Sequence, residues 1–394
     1  MSNTLFEGIR VIDFSSVVSG PMATQILADQ GADVIKVESP GVGDISRLIG
    51  ANRNGFSSMF TVLNRNKRSV VINLKSKKGL AVLDNLLATA DVLVQNFRPG
   101  VMEKLELGKS QLRERFPSLI YVSISGFGES GPYSGRRVYD PVIQAISGYA
   151  SVQNNNQPDL VKNLICDKTT ALTCAQAISA ALFERERDHK KSGTNIDLSM
   201  LDAGLAFLWP DGMMNDTLLG DEITPMPPLS DIYQINETKD GHITYIVVSD
   251  AEWSGLCKAL EIDHLTFDPK FVDIVNRLKN ISELKKILRL EMSKWSTKDI
   301  CERLDKEDVP FAKINTIEEV IKDPQIKQNG AILEHSHPTA GKLQFPKHPV
   351  RFENKTLEVR LHAPKLGQHT SEILRELDFS EADVEELIKE GIVD

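Results

Sequence analysis

The segment NLICDKTTALTCAQAISAALFERE places a single carboxylate, Asp167, between an apolar approach and a long run with helical character. A carboxylate there can cap the helix by accepting backbone N–H bonds, and on local sequence alone this is the more frequent role. It can also be a nucleophile that needs no base, because an Asp with an ordinary pKa of about 3.9 is ionised at neutral pH. The local sequence leaves both roles open.

The distribution of histidine and cysteine narrows the possible chemistry. All eight histidines lie at His189 or later, so a Ser–His or Cys–His mechanism would have to take its base from the second half of the chain. This disfavours both mechanisms without excluding them. The four cysteines are scattered without a CxxC pair, which is typical of reduced thiols in a cytoplasmic protein, and no spacing predicts a metal site.

Several cations suggest a phosphorylated ligand, although a solvated surface is the commoner explanation for any one of them. They are Lys67, Arg68, Arg98, Lys104, Arg136 and Arg137. The glycine-rich stretch at residues 126–140 allows close backbone approach to a ligand, or is simply a mobile connection. A GxGxxG fingerprint after the first strand and a GxxxxGK[ST] loop are both missing, which argues against NAD and against nucleotide hydrolysis.

The first third of the chain alternates strand and helix patterns, which predicts an α/β fold with a parallel sheet covered on both faces. The predicted strands are residues 8–14, 33–39, 69–75, 91–97 and 119–128, and the predicted helices are residues 20–32, 77–90 and 101–116. Ligands of such sheets bind beyond the carboxyl ends of the strands. We therefore expect the site at Phe14–Pro21, Glu38–Asp44, Asn96–Gly100 and Gly126–Tyr133.

The second half continues this pattern and then changes. Residues 169–184 read as a helix, and residues 194–208 as a short strand followed by a helix. The Pro-rich segment TPMPPLSD (224–231) marks a boundary, after which two strand-like runs and several helices predict a smaller α/β domain.

Composition excludes several classes of protein. With 394 residues, two domains or one elaborated domain are expected. The net charge of −9 argues against a general nucleic-acid binder. No apolar run approaches the roughly 18 residues that a membrane span needs, and the first residues lack a signal-peptide pattern.

Taken together, five stretches of sequence resemble the class III CoA-transferases of the formyl-CoA and carnitine CoA-transferase type. They are VIDFSSVVSGPMATQILADQGADVIKVESPGVGD, NRNKRSVVINLKSKKG, DVLVQNFRPGVMEKL, SISGFGESGPY and the segment around Asp167. The tail APKLGQHTSEILREL is similar to the ending of that family, so the resemblance covers essentially the whole chain.

The resemblance implies that Asp167 is the catalytic nucleophile and forms aspartyl anhydride and aspartyl-CoA intermediates while CoA moves from an acyl-CoA to a small carboxylic acid. It implies CoA contacts at Val17, Val18, Asn96, Phe97, Lys104, Arg137 and Met200. Coenzyme A is then a substrate, and no tightly bound cofactor or metal is expected. Backbone N–H groups of residues 126–128, or of the helix that follows Asp167, are the candidate oxyanion donors.

The resemblance also implies a domain arrangement. A large Rossmann-like CoA-binding domain would comprise residues 1–223 and be completed by residues 331–394, while residues 224–330 form the small α/β domain. Two such subunits would interlock as a homodimer.

Departures from the family pattern limit what is implied. Formyl-CoA transferase carries Gln at the position of Val18 and Arg at the positions of Ser39 and Lys104, so formyl or oxalyl specificity is not implied. The related α-methylacyl-CoA racemases use a His–Asp pair whose His lies in a GHD sequence, and at that place this chain has Val138-Tyr139-Asp140. Transfer is favoured over racemisation because a proton shuttle needs that histidine. A racemase and a non-catalytic CoA-binding protein remain the alternatives.

Overall fold

A computed structural model of the protein describes residues 4–153, 157–353, 355 and 357–394. Its centre is a six-stranded sheet in the order β3-β2-β1-β4-β5-β6, and every neighbouring pair of strands is parallel. The strands are β1 (Arg10–Asp13), β2 (Asp33–Glu38), β3 (Lys67–Val71), β4 (Val92–Gln95), β5 (Ile120–Ser125) and β6 (Asn195–Ser199). The predicted α/β class with a parallel sheet is confirmed.

The strand order puts a topological switch point between β1 and β4. The chain runs outward from β1 in one direction through β2 and β3, and in the other through β4, β5 and β6. The crevice at such a point is the usual ligand site of doubly wound sheets. Segments 14–21 and 96–100 leave the carboxyl ends of these two strands, so they flank this crevice.

The strands are short and mostly buried, as expected for a parallel sheet with both faces covered, although β2 and β3 also carry buried lysines. All residues of β3, β4 and β5 are buried. The edge strand β6 differs, since it alternates exposed and partly buried residues along most of its length. The predicted strands extend up to four residues beyond the observed ones, and the strand predicted over 69–75 misses the first two residues of β3.

The observed helices are α1 (Ser19–Asp29), α2 (Ser58–Leu63), α3 (Lys77–Leu87), α4 (Val101–Lys104), α5 (Lys109–Arg115), α6 (Asp140–Ser147), α7 (Tyr149–Val152), α8 (Ile165–Arg187), α9 (Met200–Gly212), α10 (Leu229–Ile232), α11 (Asp250–Leu260), α12 (Ile274–Lys279), α13 (Ile281–Met292), α14 (Thr297–Lys306), α15 (Ile317–Val320), α16 (Pro324–Gln328), α17 (Thr370–Glu376) and α18 (Glu381–Lys389). Every predicted helix but one is observed, and several observed helices, including α2 and α6, lie outside the predicted ones. The single helix predicted over residues 101–116 is wrong. It is interrupted between α4 and α5, where Glu106 has a φ of 60° that a helix cannot continue.

The chain divides into two compact units. The first comprises Met1–Tyr149, Leu160–Trp209 and Gly330–Asp394, and the second Ala150–Asp159 and Pro210–Asn329. Within the first unit, Ile373, Leu374 and Val384 of the last two helices pack into the core formed by β1 to β5 and α3. The carboxyl-terminal segment is therefore part of the fold that supports the sheet. The predicted boundaries at residues 223/224 and 330/331 stay a prediction.

The remaining strands are antiparallel. In the second unit, β7 (Asn236–Glu237), β8 (His242–Tyr245) and β9 (Phe311–Lys313) form a small sheet in the order β9-β8-β7. In the first unit, β10 (Ile332–His337) pairs with β11 (Gly341–Pro346), and Asn52–Arg53 pairs with Phe56–Ser57. Among the described residues there is no helix with the length and apolar content that a bilayer crossing requires.

Candidate active site

Asp167 lies in the first turn of α8 but does not cap it. The helix begins at Ile165, and its N-cap residue is Leu164, whose side chain makes no capping hydrogen bond. Asp167 is 9 % exposed. The capping role that local sequence favours is therefore wrong, because the helix starts two residues before Asp167. Its carboxylate remains available for another task.

A second carboxylate holds the backbone at this point. Asp140, at the start of α6, is buried and its Oδ2 accepts the N–H of Asp167 at 3.0 Å. Its Oδ1 accepts Nε2 of Gln144 at 2.6 Å. Asp140 thus supplies an acceptor that the first turn of α8 would otherwise lack, and it brings a like charge close to Asp167.

This environment raises the pKa of Asp167 to about 6, first because the carboxyl is buried and second because Asp140 repels its charge. The hydroxyl and the backbone N–H of Ser19 act in the opposite direction by hydrogen bonding to the carboxylate. An unperturbed pKa is therefore the wrong expectation, since burial and like charge outweigh the helix dipole. Asp167 is still roughly 90 % ionised at pH 7. A carboxylate stripped of water has a high free energy as an anion, which favours attack on an electrophile.

The neighbouring thiol is a poor competitor as nucleophile. Cys166 is fully buried, and burial, together with the charges of Asp140 and Asp167, raises its pKa to about 12. A thiol with such a pKa is almost entirely protonated at neutral pH and therefore unreactive.

The activity that depends on Asp167 is expected to fall as pH drops through about 6, because protonation removes the nucleophilic anion. Asp140→Asn removes the like charge and is expected to move this inflection to lower pH. The measurement is kcat/KM against pH for both proteins with one substrate pair. Any titration of the substrate itself is the same in both profiles. An unchanged or higher inflection in Asp140→Asn would contradict this assignment.

The turn between β1 and α1 is strained. Val17 has a φ of 72°, a conformation that is a genuine outlier for a β-branched residue and costs roughly 1–3 kcal/mol. Asn96, which follows β4, holds the turn by accepting the N–H of Ser16 at 2.9 Å and donating to its carbonyl oxygen at 2.9 Å. Asp44 accepts the N–H of Val17 at 3.1 Å. The turn then leads directly to Ser19, beside Asp167.

Buried charges fix the start of the same turn. Asp13 accepts the N–H of Ser15 at 2.9 Å and also its hydroxyl, while Lys36 Nζ donates to the Ser15 carbonyl oxygen at 2.7 Å. Lys67 Nζ donates to Asp13 Oδ2 and to the Pro21 carbonyl oxygen, both at 2.9 Å. The backbone around Val17 is therefore held from several sides, which is what allows a strained conformation to persist.

Two of the predicted ligand-binding cations have structural roles instead. Lys67 and Arg68 lie at the beginning of β3, opposite the ligand edge. Lys67 is fully buried on Asp13, and Arg68 pairs with Asp33, Glu372 and Glu376. The prediction that they bind a phosphorylated ligand is wrong. Their acidic partners lie far away in the sequence, so the sequence alone does not reveal these ion pairs.

A cleft of about 860 Å³ opens at the carboxyl edge, beside the turn. Ser15 and Ser16 line one side and Phe97, Val101 and Lys104 another. Leu105 lies beside them, and the other lining residues come from the ends of β1 to β3 and the segments after them: Phe14, Lys36, Val37, Glu38, Ser39, Pro40, Gly43, Asp44, Ile45, Ile72, Asn73, Leu74 and Lys75. Its size falls in the usual range of small-molecule sites.

The residues that the resemblance implies as CoA contacts fall into three groups. Phe97, which is 38 % exposed, and Lys104 line the cleft. Val17 and Val18 form the turn that Asn96 holds. Arg137 is exposed in the glycine-rich loop after β5, and Met200 is buried at the start of α9. These last two residues do not line the cleft, although Leu201 joins the start of α9 to that loop by donating to the Gly126 carbonyl oxygen at 3.1 Å.

Four residues with a part in this arrangement are absent from the contacts that the resemblance implies: Ser19, Lys36, Asp44 and Asp140. Lys36 carries a detectable signal, because a lysine inside the apolar run of β2 must have a buried partner. Asp140 stands at the place of the racemase GHD sequence and Ser19 has no local signal, but neither relation to Asp167 is visible locally, since both depend on packing between distant helices.

Known proteins are similar to this chain in sequence and in fold. A sequence model described as CoA-transferase family III matches residues 6–370. Human succinyl-CoA:glutarate CoA-transferase is 34 % identical over 398 residues, covering 98 % of this chain and 90 % of the human protein. A formyl-CoA:oxalate CoA-transferase from Rhodopseudomonas palustris is 32 % identical over 430 residues, covering 98 % and 97 %. A crystal structure of a CaiB/BaiF family protein from Brucella suis superimposes with a TM-score of 0.83 at 30 % identity, covering 96 % and 100 %.

Proposed function

This chain belongs to CoA-transferase family III, and on that premise we propose that it moves coenzyme A from an acyl-CoA to a carboxylic acid with Asp167 as the nucleophile. The observation that carries the proposal is the buried carboxylate of Asp167 in α8, beside Ser19, the residue that follows the strained turn at the cleft. The names of the two relatives each give a CoA thioester as the donor and a carboxylate as the acceptor.

The proposed reaction needs no proton transfer. The Asp167 carboxylate attacks the thioester carbonyl carbon, the C–S bond breaks, and a mixed anhydride and CoA thiolate result. The thiolate then attacks the aspartyl carbonyl carbon, releasing the donor's carboxylate and leaving an aspartyl-CoA thioester. An acceptor carboxylate repeats the two steps in reverse, which restores Asp167. Splitting the exchange this way conserves the thioester energy.

Ser19 is the proposed oxyanion donor. Its hydroxyl and N–H bond to the Asp167 carboxylate, and a tetrahedral intermediate at that carbon develops negative charge on the same oxygens. Gly128, proposed from the sequence, is less suitable because its N–H already donates to Ser125 Oγ at 3.0 Å. The N–H of Asp167 itself is engaged by Asp140.

The cleft is the proposed seat of CoA. Lys75 and Lys104 are exposed cations in its lining and suit phosphate groups, while Phe97 and Val101 offer apolar surface. Val17, Val18 and Asn96 would shape its inner wall. Arg137 and Met200 are proposed contacts for the part of the substrate near the glycine-rich loop, and no tightly bound cofactor is proposed.

We also propose the arrangement that the family resemblance implies, with residues 1–223 and 331–394 forming the CoA-binding domain, residues 224–330 the small domain, and two chains interlocked. Support comes from large apolar side chains that helices α6, α8 and α9 leave exposed. They are Val142, Ile146, Leu172, Phe183, Phe207 and Trp209. A second copy is the proposed cover, and light scattering in solution measures directly whether the particle contains two chains.

A panel assay tests the function. Acyl-CoA donors are combined with carboxylic acids, and new acyl-CoA products are followed by chromatography. Transfer with ping-pong kinetics is expected for at least one pair. Release of free CoA without a new thioester would contradict transfer. Solvent deuterium entering the α-position of a 2-methylacyl-CoA would indicate a racemase, and CoA binding without turnover would indicate a non-catalytic protein.

A further inference from the structure

Glu38, the last residue of β2, lines the cleft but has no oxygen free for a ligand. Its Oε1 accepts Arg47 Nη2 at 2.6 Å and Ser69 Oγ at 2.7 Å, and its Oε2 accepts Arg47 Nε at 2.9 Å and the N–H of Asp44 at 3.0 Å. The side chain is 4 % exposed. Burial would raise the pKa of Glu38, but the cations Arg47 and Lys36 hold it below its usual value, so the carboxylate is ionised.

On one side, this carboxylate controls the strained turn through Asp44. Asp44 receives the bond from Glu38 through its own N–H, and its Oδ1 accepts the N–H groups of Val17 at 3.1 Å and Ser46 at 2.8 Å. Its Oδ2 lies 2.9 Å from Lys36 Nζ. A Cβ at Gly43, whose φ is 66°, would meet Glu38 Oε2 at 2.6 Å, so the backbone of the cleft wall rests against the carboxylate.

On its other side, Glu38 is tied to the carboxyl-terminal segment. Arg47 uses its remaining Nη1 to donate to the Pro364 carbonyl oxygen at 3.0 Å, and its guanidinium carbon lies 3.7 Å from the ring centre of Phe60. Ser69 Oγ accepts the N–H of Gly367 at 3.0 Å. Pro364 and Gly367 of the carboxyl-terminal segment therefore hold Arg47 and Ser69, the two side chains that orient Glu38.

We propose that Glu38 is a positioning residue for CoA transfer. Through Asp44 it keeps the Val17 turn and the wall formed by residues 39–44 in the shape that receives CoA, and the carboxyl-terminal segment completes the hold. The inference rests on the proposed function. Glutamine has the same shape but cannot replace glutamate here, because its NH₂ group would face two donors whichever way the amide is turned.

Glu38→Gln is the test. We expect the KM for acyl-CoA to rise about tenfold while kcat falls less than about threefold, since the cleft is distorted but Asp167 keeps its contacts with Asp140. The dissociation constant of CoA, measured by calorimetry in an Asp167→Ala background, is expected to rise by a similar factor. The matched control is Glu372→Gln, because Glu372 also pairs with an arginine, Arg68, but does not line the cleft.

The outcomes separate positioning from simple loss of stability. An unchanged KM and CoA affinity, with activity falling only in proportion to unfolded protein in a thermal melt, would overturn the proposal. So would an equal rise of KM in Glu372→Gln. If the wild-type protein transfers CoA between no pair in the panel, the proposed function fails instead. The calorimetric measurement of CoA affinity does not depend on turnover, so it still tests the role of Glu38.

Discussion

Asp167→Ala is expected to lower the rate of CoA transfer by at least about 10⁴-fold, because no other described group is placed to form the covalent intermediates. Affinity for CoA is expected to stay within about threefold of wild type, since the cleft is lined by other residues.

The Asp167→Ala protein is expected to stay folded. The pKa of Asp167 is about 6 in the folded protein, against 3.8 for an ordinary Asp. The ionised carboxylate therefore lowers the free energy of unfolding above pH 6, and this loss disappears as the pH falls. Removing the carboxyl thus removes an electrostatic cost.

Asp299→Ala is the matched control for this substitution. Asp299 also lies in the first turn of a helix, α14, but is exposed and belongs to the second unit. Its replacement is expected to leave turnover unchanged. Wild-type turnover in Asp167→Ala would show that the nucleophile is another residue.

Lys67→Met is expected to lower the free energy of unfolding by about 3–5 kcal/mol, the usual cost of leaving one partner of a buried ion pair uncompensated. Lys67 and Asp13 are both fully buried and 2.9 Å apart. Burial lowers the pKa of Lys67 to about 8 despite the attraction of Asp13, so the amine is still protonated at pH 7. Burial would raise the pKa of Asp13, but Lys67 and Lys36 hold it well below its usual range. Without Lys67, the negative charge of Asp13 would be balanced, among the described residues, only by Lys36, whose Nζ lies 3.9 Å from Asp13 Oδ2.

Urea denaturation measures this effect. The double variant Asp13→Asn/Lys67→Met removes the stranded charge and is expected to recover part of the loss. Lys78→Met is the exposed control, since Lys78 pairs with Glu390 at 2.7 Å on the surface, and it is expected to change stability far less than Lys67→Met does. A loss of similar size in Lys78→Met, or none in Lys67→Met, would contradict the role assigned to the buried pair.

The sequence predicts the parallel sheet and its ligand edge because these depend on local patterns. Apolar runs that alternate with amphipathic helices define β1 to β5, and the rule for parallel sheets then places the site. Asp167 is recognisable as a candidate for the same reason. Its raised pKa is not, because Asp140 lies 27 residues earlier and reaches it only when α6 packs against α8.

Two further features could not be predicted for physical reasons. Val17 adopts a left-handed conformation that statistics for a β-branched residue argue against, and it is held there because Asn96 bonds to Ser16 and Asp44 accepts the N–H of Val17 itself. Lys67 was predicted to face a ligand, yet it is buried on Asp13, 54 residues away in sequence. In both cases the outcome depends on long-range partners, which local sequence does not reveal.

The covalent intermediate on Asp167 is the central claim, and trapping it is the most direct test. The protein is mixed with an acyl-CoA without acceptor, treated with hydroxylamine, and digested with trypsin, which releases NLICDK (163–168) with Asp167 as its single acidic side chain. Hydroxylamine attacks an aspartyl thioester and expels CoA, leaving a hydroxamate on Asp167. An acylated Cys166 would instead return to an unmodified thiol. A hydroxamate at Asp167, absent from Asp167→Ala, is the predicted result. A protein that turns over its substrates but yields an unmodified peptide would contradict the account.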